Sequence, residues 1–276
     1  MTAMREQTTN PRPAIEPDGP PEAAQLQARH FARVADSYVQ ARRGSPANRQ
    51  FWDYWTQHMF ALIPLAAGRS TFLDPMCGSG EILEEAVKRF DRVIGADISP
   101  HMLAWVPEAV RRGSLLAVSD VCRLPLASKS VDVAMIRGGL HHVYARCEEG
   151  VREIHRVLRP GGFCVFAEPT DDNPLIRGAR RIMYKFCGDF GPGEIPFRAG
   201  HLKAVLERAG LQVLDVRRFG YLGYALIGNT DILPILRRLR WQGIIDGLIR
   251  LDERSPSVPV WRTFNFVAII VARRRS

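Results

Sequence analysis

Apolar positions along this chain first recur at helical spacing and then switch to short, dense runs. Segments 23–41 (AAQLQARHFARVADSYVQA) and 47–65 (ANRQFWDYWTQHMFALIPL) repeat apolar residues every three to four positions, which predicts two amphipathic helices. The pattern then changes. STFLDP (70–75), RVIGAD (92–97), SLLAVSD (114–120), SVDVAMIR (130–137) and FCVFAEP (163–169) read as strands. These runs are short, apolar and rich in β-branched residues, as strands covered on both faces should be. Helical patterns at 79–89, 99–111 and 146–158 lie between them. Alternation at this spacing predicts an α/β fold, with a parallel, doubly wound sheet of Rossmann-like type.

After Pro169 the rhythm breaks. Residues 171–197 mix glycine, proline and aromatics and read as an insertion. A helix at 198–209 ends at Gly210, in a C-terminal cap position. A strand near 211–219, an irregular-to-helical stretch 221–252 and a final strand at 262–272 follow. The expected domain plan is a disordered tail (1–22), an N-terminal helical lid (23–66) and one α/β domain (67–276), with substrate-cap insertions at 171–197 and 221–252.

Composition narrows the class. The first 23 residues are rich in Pro, Thr and charge and lack the apolar stretch of a signal peptide, and no later run is long and uncharged enough to span a membrane. A cytoplasmic protein is the expectation. Five scattered cysteines, with no CxxC pair, argue against a disulfide framework and a structural zinc site, and no metal is expected. Net charge is +9, carried mostly by dispersed arginine. Without basic residues interleaved with aromatics, this reads as a solvated surface more readily than as a site for an anionic substrate or a nucleic acid. The stretch 231–251 alternates apolar and basic groups at roughly helical spacing. Such a stretch suits a membrane surface, a partner protein or a place packed over the active site, and the last is the expectation because Pro234 and Gly247 interrupt it.

The candidate chemistry gathers at the carboxyl ends of the strands. In LDPMCGSG the first strand ends at Asp74, and Gly78 and Gly80 let the backbone turn sharply toward the next helix and lie close against a ligand. Asp97 closes the second strand, where a carboxylate can accept both hydroxyls of a ribose. Asp120 follows the third, placed to accept from an adenine amino group beside the Val121 N–H. Three acids on one sheet edge mark the ligand edge of a doubly wound fold. A dinucleotide fits poorly. The turn lacks G-x-G-x-x-G spacing, and Asp74 would repel a pyrophosphate while suiting an ammonium and a sulfonium.

With these blocks and the run EIHRVLRPGGFCVFAEP (153–169), the chain resembles the class I S-adenosylmethionine-dependent methyltransferases, within the group that includes the ubiquinone/menaquinone biosynthesis enzymes. That resemblance covers roughly 30–170. It implies a seven-stranded sheet with an antiparallel last strand and S-adenosylmethionine as cofactor. It further implies that Asp74, Gly78 and Gly80 cradle the methionine part, that Asp97 and Ile98 hold ribose and flank adenine, and that Met102 packs on adenine. Asp120 and Val121 would fix the adenine edge, and Tyr38 would reach the methionine carboxylate. Met76, Cys77 and Arg137 complete the expected cofactor set. Met76 stands where the family carries its first glycine, and is expected to narrow the pocket or shift the methionyl tail.

The segment MIRGGLHHVY (135–144) lacks the Asn/Asp-Pro-Pro-aromatic motif of adenine-amino methylation. His142, and less so His141, are candidates for a general base, with a structural role as the alternative. Tyr184, Phe186, Phe190, Glu194, Tyr221 and Tyr224 are candidates to line the acceptor site. The expected activity is methyl transfer to O, N or C of a small molecule, with nucleic acid disfavoured as a partner and homodimerisation left open. Two alternatives stand beside it: another use of the sulfonium, including cyclisation, and methylation of an RNA or protein.

Overall fold

The computed structural model describes residues 22–64, 70–178, 180, 194–229 and 238–275. Chain order runs α1 (Glu22–Arg43), α2 (Pro46–Ala61), β1 (Thr71–Asp74), α3 (Leu83–Ala86), β2 (Arg92–Asp97), α4 (Pro100–Ala104), α5 (Glu108–Arg112), β3 (Leu115–Val118) and β4 (Val131–Arg137). A 3₁₀ stretch (Leu140–Arg146), α6 (Cys147–Val157), β5 (Leu158–Pro169), α7 (174–178), α8 (Ala199–Arg208) and β6 (Leu211–Phe219) follow. A π-helical turn (Tyr224–Gly228), α9 (Gln242–Arg254), α10 (Pro259–Arg262) and β7 (Val267–Arg274) complete it. The expected tail lies outside the described residues apart from Glu22, which opens α1.

The strands form one sheet in the order β3-β2-β1-β4-β5-β7-β6. All neighbours are parallel except β7, which runs antiparallel between β5 and β6. This is the seven-stranded Rossmann-like arrangement expected from the sequence. Strand order reverses between β1 and β4, which opens a crevice at their carboxyl ends.

Both faces of the sheet are covered, and the strands alternate between two cores. Val165 and Ala167 of β5 and Val267, Ile269 and Val271 of β7 face the core holding α2 and α9. Cys164, Phe166, Ala268, Ile270 and Ala272 face the other, against α6 and α8. Each large apolar side chain buried this way contributes about 1.5–3 kcal/mol.

α2 starts cleanly because Pro46 sits in its first turn and the Ser45 hydroxyl accepts from Asn48 N at 3.3 Å. It buries Phe51, Trp52, Trp55, Met59 and Phe60 in the first core. α9 buries Ile245 and Ile249 in the same core, and its residues are absent from the cavity wall described below. Residues 231–237 of the amphipathic stretch lie outside the described residues. Among the described residues no helix is long and apolar enough to cross a membrane.

Several boundaries differ from the expectation for local reasons. The helix read over 79–89 shrinks to Leu83–Ala86, because Ser79 and Gly80 belong to the turn, with Gly80 N donating to Cys77 O at 2.8 Å. The helix read over 99–111 divides at Pro107, which lacks the N–H to continue it. Leu158–Gly162, outside the strand expected over 163–169, is drawn into β5: Leu158 pairs with Val131 and Phe163 with Val133, so the register shifts between them. The last strand begins at Val267 because Pro259–Arg262 is helical.

Candidate active site

A cavity of about 770 Å³ opens at the carboxyl ends of the central strands. Its floor is made where β1 turns into α3. Asp74, closing β1, accepts from Met76 N at 3.1 Å, and Cys77 N donates to Ala96 O at 2.9 Å. Gly78 has φ of +51°, and a Cβ there would meet Met102 Cε at 3.3 Å. Its N–H donates to Asp97 Oδ2 at 2.8 Å, while Ser99 N donates to Asp97 Oδ1 at 2.9 Å. One carboxylate therefore ties the first and second strand ends together at the cavity wall. Each of its oxygens has a second lone pair for a ligand hydroxyl.

The structure brings Tyr38, Met76, Cys77, Gly78, Asp97, Ile98, Met102, Asp120, Val121, Arg137, His141 and His142 to this one cavity. Asp74 and Gly80 do not reach its wall. Asp74 is 2% exposed and sits behind the turn it braces. Burial, more than any neighbour, pushes its pKa up to about 7. The folded-state pKa is raised, so the ionised form carries a stability cost above about pH 7 that diminishes as pH falls from there toward the ordinary carboxylate range. Asp74→Asn keeps an acceptor for Met76 N and removes that cost. Thermal unfolding followed from pH 5.5 to 8.5 should show the variant gaining on the parent as pH rises. Parallel curves would refute this.

Asp120 accepts from Cys122 N at 2.9 Å and pairs with Arg146 Nη1 at 2.8 Å, so an adenine amine would share an already oriented carboxylate. Burial raises the Cys77 thiol well above its ordinary range, reinforced by Asp74 and Asp97, which removes it as a nucleophile. The Met76 side chain lies across Gly139, where an added Cβ would come within 3.0 Å of both Met76 Cβ and Sδ. The larger residue in the turn is thus accommodated by a glycine at the end of the neighbouring strand. Arg137 bonds Glu81 and donates to Thr56 Oγ1 at 2.7 Å, with its guanidinium 4.6 Å from the centre of the Trp52 ring. Burial opposes the Glu81 charge, but Arg137, Arg42 and Arg43 hold its pKa below the usual value.

α1 roofs the cofactor side. Its Ala35 and Val39 pack on Met102, Tyr38 lines the cavity, and the Arg42 guanidinium lies 4.2 Å from the Tyr38 ring centre. Among the bonds that fasten the helix are three to separate parts of the site: Trp105 Nε1 donates to Asp36 Oδ1 at 2.9 Å, Arg43 Nη2 to Ser79 O at 2.7 Å, and Gln27 Nε2 to His142 O at 3.0 Å.

Across the cavity, the end of β4 leads into two histidines. Glu168, near the end of β5 and fully buried, accepts from Gly139 N (3.1 Å), Leu140 N (2.8 Å) and His141 N (3.3 Å), and its Oε2 lies 2.9 Å from His141 Nδ1. Burial, then the neighbouring His142, lowers the His141 pKa, so the neutral ring predominates at pH 7. An Nδ1–H donated to Glu168 leaves Nε2 as the basic nitrogen. His142 packs on His141 with ring centres 4.1 Å apart and planes tilted by 34°, and its Nδ1 lies 2.9 Å from Glu194 Oε1, an electrostatic contact rather than an aligned hydrogen bond. Among the described residues His141, His142 and Glu194 also bring three ligating atoms within 4.8 Å of one another. With each Nδ1 facing a carboxylate, the pair suits proton transfer.

Of the acceptor-site candidates, Glu194 and Tyr224 line the cavity, while Tyr221 stacks on Trp261 instead. Tyr184, Phe186 and Phe190 lie outside the described residues. Tyr224 is set by Asp252, which accepts from Gly223 N (2.7 Å) and Tyr224 N (2.8 Å). Sequence reasoning missed Glu168, Glu81, Trp52 and Arg180. Glu168 sat inside a recognised block, but its partners are 27–29 residues away in the chain.

Residues 73–166 match the family described as Methyltransferase domain. The ubiquinone/menaquinone biosynthesis C-methyltransferase UbiE of Syntrophotalea carbinolica is 35% identical over 209 residues, 70% of this chain and 79% of that protein. Among solved structures, the [4+2]-cyclase SpnF superposes with a TM-score of 0.67 at 18% identity, covering 92% of this chain and 97% of that one. Phosphoethanolamine N-methyltransferase 2 of Haemonchus contortus, solved with S-adenosyl-L-methionine, gives 0.60 at 17% identity, covering 89% and 60%. At these identities the two structures speak to fold alone.

Proposed function

Since the chain belongs to the class I S-adenosylmethionine-dependent methyltransferases, we propose that it methylates a small molecule, with a histidine–glutamate pair taking the acceptor's proton. The observation that carries this reading is the juxtaposition, in one cavity, of the Gly78/Asp97 cradle and the His141/His142 wall.

The cradle fits the cofactor's nucleoside. Gly78 exposes backbone where a side chain would collide with Met102, and Asp97 offers a carboxylate with free lone pairs. Asp97 would hold the ribose, Ile98 and Met102 would sandwich the adenine, Asp120 and Val121 would read its edge, and Tyr38 with the 76–78 backbone would flank the methionyl arm. When bound, S-adenosylmethionine supplies an electrophilic methyl group on a positively charged sulfur. The chain's part is alignment and exclusion of water, which can supply much of the rate in an in-line displacement. His141, kept neutral by burial and held through Nδ1 by Glu168, would accept a proton from a hydroxyl or amine at Nε2. His142, braced by Glu194, would do so or orient the acceptor.

The test is turnover of S-adenosylmethionine with a panel of phenols, hydroxy acids and amines, following S-adenosylhomocysteine. Acceptor-dependent formation supports the reading, with kcat lowered about 10²–10⁴-fold in the His141→Ala, His142→Ala double variant. Methylthioadenosine would signal attack at a different carbon. Acceptor conversion with the cofactor intact would favour a cyclase-like use of the same fold.

A further inference from the structure

Arg180 stands apart from the other cations of the site. It follows α7, is 9% exposed, and contributes to the cavity wall beside Pro169 and Val267. Among the described residues its guanidinium donates to two backbone carbonyls only, Thr170 O at 3.2 Å and Phe266 O at 3.4 Å, and it lies 5.8 Å from the Phe266 ring centre. Among the described residues no carboxylate comes within ion-pair distance of it. The nearby acids are engaged: Glu168 with His141 and its turn, Glu194 with His142. On the same strand end, the Thr170 hydroxyl is buried and, among the described residues, lacks a hydrogen-bond partner.

A guanidinium stays charged at any physiological pH and carries five N–H donors in a planar fork. Desolvating it beside two long carbonyl bonds is costly unless an anion completes the set. Location decides which ligand brings that anion. The carboxylates that suit the cofactor's nucleoside lie at the ends of β2 and β3, on one side of the switch point. Arg180 packs on the ends of β5 and β7, on the other. We infer that Arg180 is the anchor for a carboxylate on the methyl acceptor, so that the substrate is an organic acid. The inference rests on the methyltransferase reading and narrows its substrate class. The planar carboxylate matches the fork in two parallel bonds, fixing acceptor orientation as well as affinity.

The probe is benzoate, with benzamide as the neutral isostere, each titrated calorimetrically into the full chain saturated with S-adenosylhomocysteine. Benzoate should bind at least about tenfold more tightly. Arg180→Met should erase that preference while leaving S-adenosylhomocysteine affinity within about threefold, and Arg180→Lys should retain part of it. Unchanged homocysteine-product affinity and an unchanged unfolding midpoint certify that the variants are folded. Equal binding of the two probes, no binding of either, or a preference that survives in Arg180→Met overturns the inference. So does a large loss of S-adenosylhomocysteine affinity in Arg180→Met, which would assign the guanidinium to the cofactor's own carboxylate. Failure of the parent protein to bind S-adenosylhomocysteine at all is a separate result, and it would bring down the methyltransferase reading first.

Discussion

Asp97→Ala is expected to weaken S-adenosylhomocysteine binding by about 10²–10⁴-fold, read by isothermal titration. Two hydrogen bonds from ligand hydroxyls to a carboxylate are worth about 1.5–3 kcal/mol each, and each 1.4 kcal/mol is a factor of ten. The substitution does more than delete ligand contacts. It also strips the acceptor from Gly78 N and Ser99 N, so the glycine turn loses the bond that holds it against β2. Burial already raises the Asp97 pKa, so the protein bears a cost in keeping this carboxylate where it is. Asp97→Glu should recover little, because a longer side chain cannot meet both N–H groups from the same backbone position. A loss below tenfold in Asp97→Ala would remove this carboxylate from the cofactor site.

The second large effect concerns Glu168. Replacing it by alanine leaves three backbone N–H groups and His141 Nδ1 in a buried space without their acceptor. Breaking such an arrangement costs about 3–5 kcal/mol, so urea unfolding should shift strongly and activity should collapse with it. Glu168→Gln separates support of the fold from support of the base. Its amide oxygen still accepts from the turn, but the negative charge is gone. Glu168 works to raise the His141 pKa against the lowering effect of burial. The acidic limb of kcat/KM should therefore move to lower pH in Glu168→Gln, with kcat reduced while S-adenosylhomocysteine affinity is retained. A profile that stays in place would confine Glu168 to a structural role.

The legible parts of this molecule are those written in contiguous residues. β7 reads VAIIVARR, a short run rich in β-branched residues that favours a strand with both faces covered, and its first six positions are buried. The strand-end acids were legible for the same reason: each closes an apolar run. What stayed hidden depends on pairs brought together by the sheet. Met76 looked like a departure that would reshape the pocket, and its accommodation by Gly139 appears only when β1 and β4 lie side by side. Glu168 read as the polar end of a strand, though it organises the turn after β4. Arg180 sat in a segment with no periodicity, where one arginine among many looks like solvated surface. Asp74 shows the converse. Its motif position suggested ligand contact, yet its carboxylate points inward to brace the turn.

The three fastenings of α1 have an effect that none of them has singly. Asp36 and Arg43 clip the helix to the side of the crevice holding Ser79 and Trp105, whereas Gln27 hooks it to the peptide carbonyl of His142 on the opposite bank. A ligand that steadies either bank steadies the helix, and so lessens what its companion must spend on ordering it. On the proposed reading, binding in the two halves would be mutually reinforcing, by the same factor in each direction, which titration of each ligand with and without the other checks. Loss of the methyl group's destination would loosen the grip on its source.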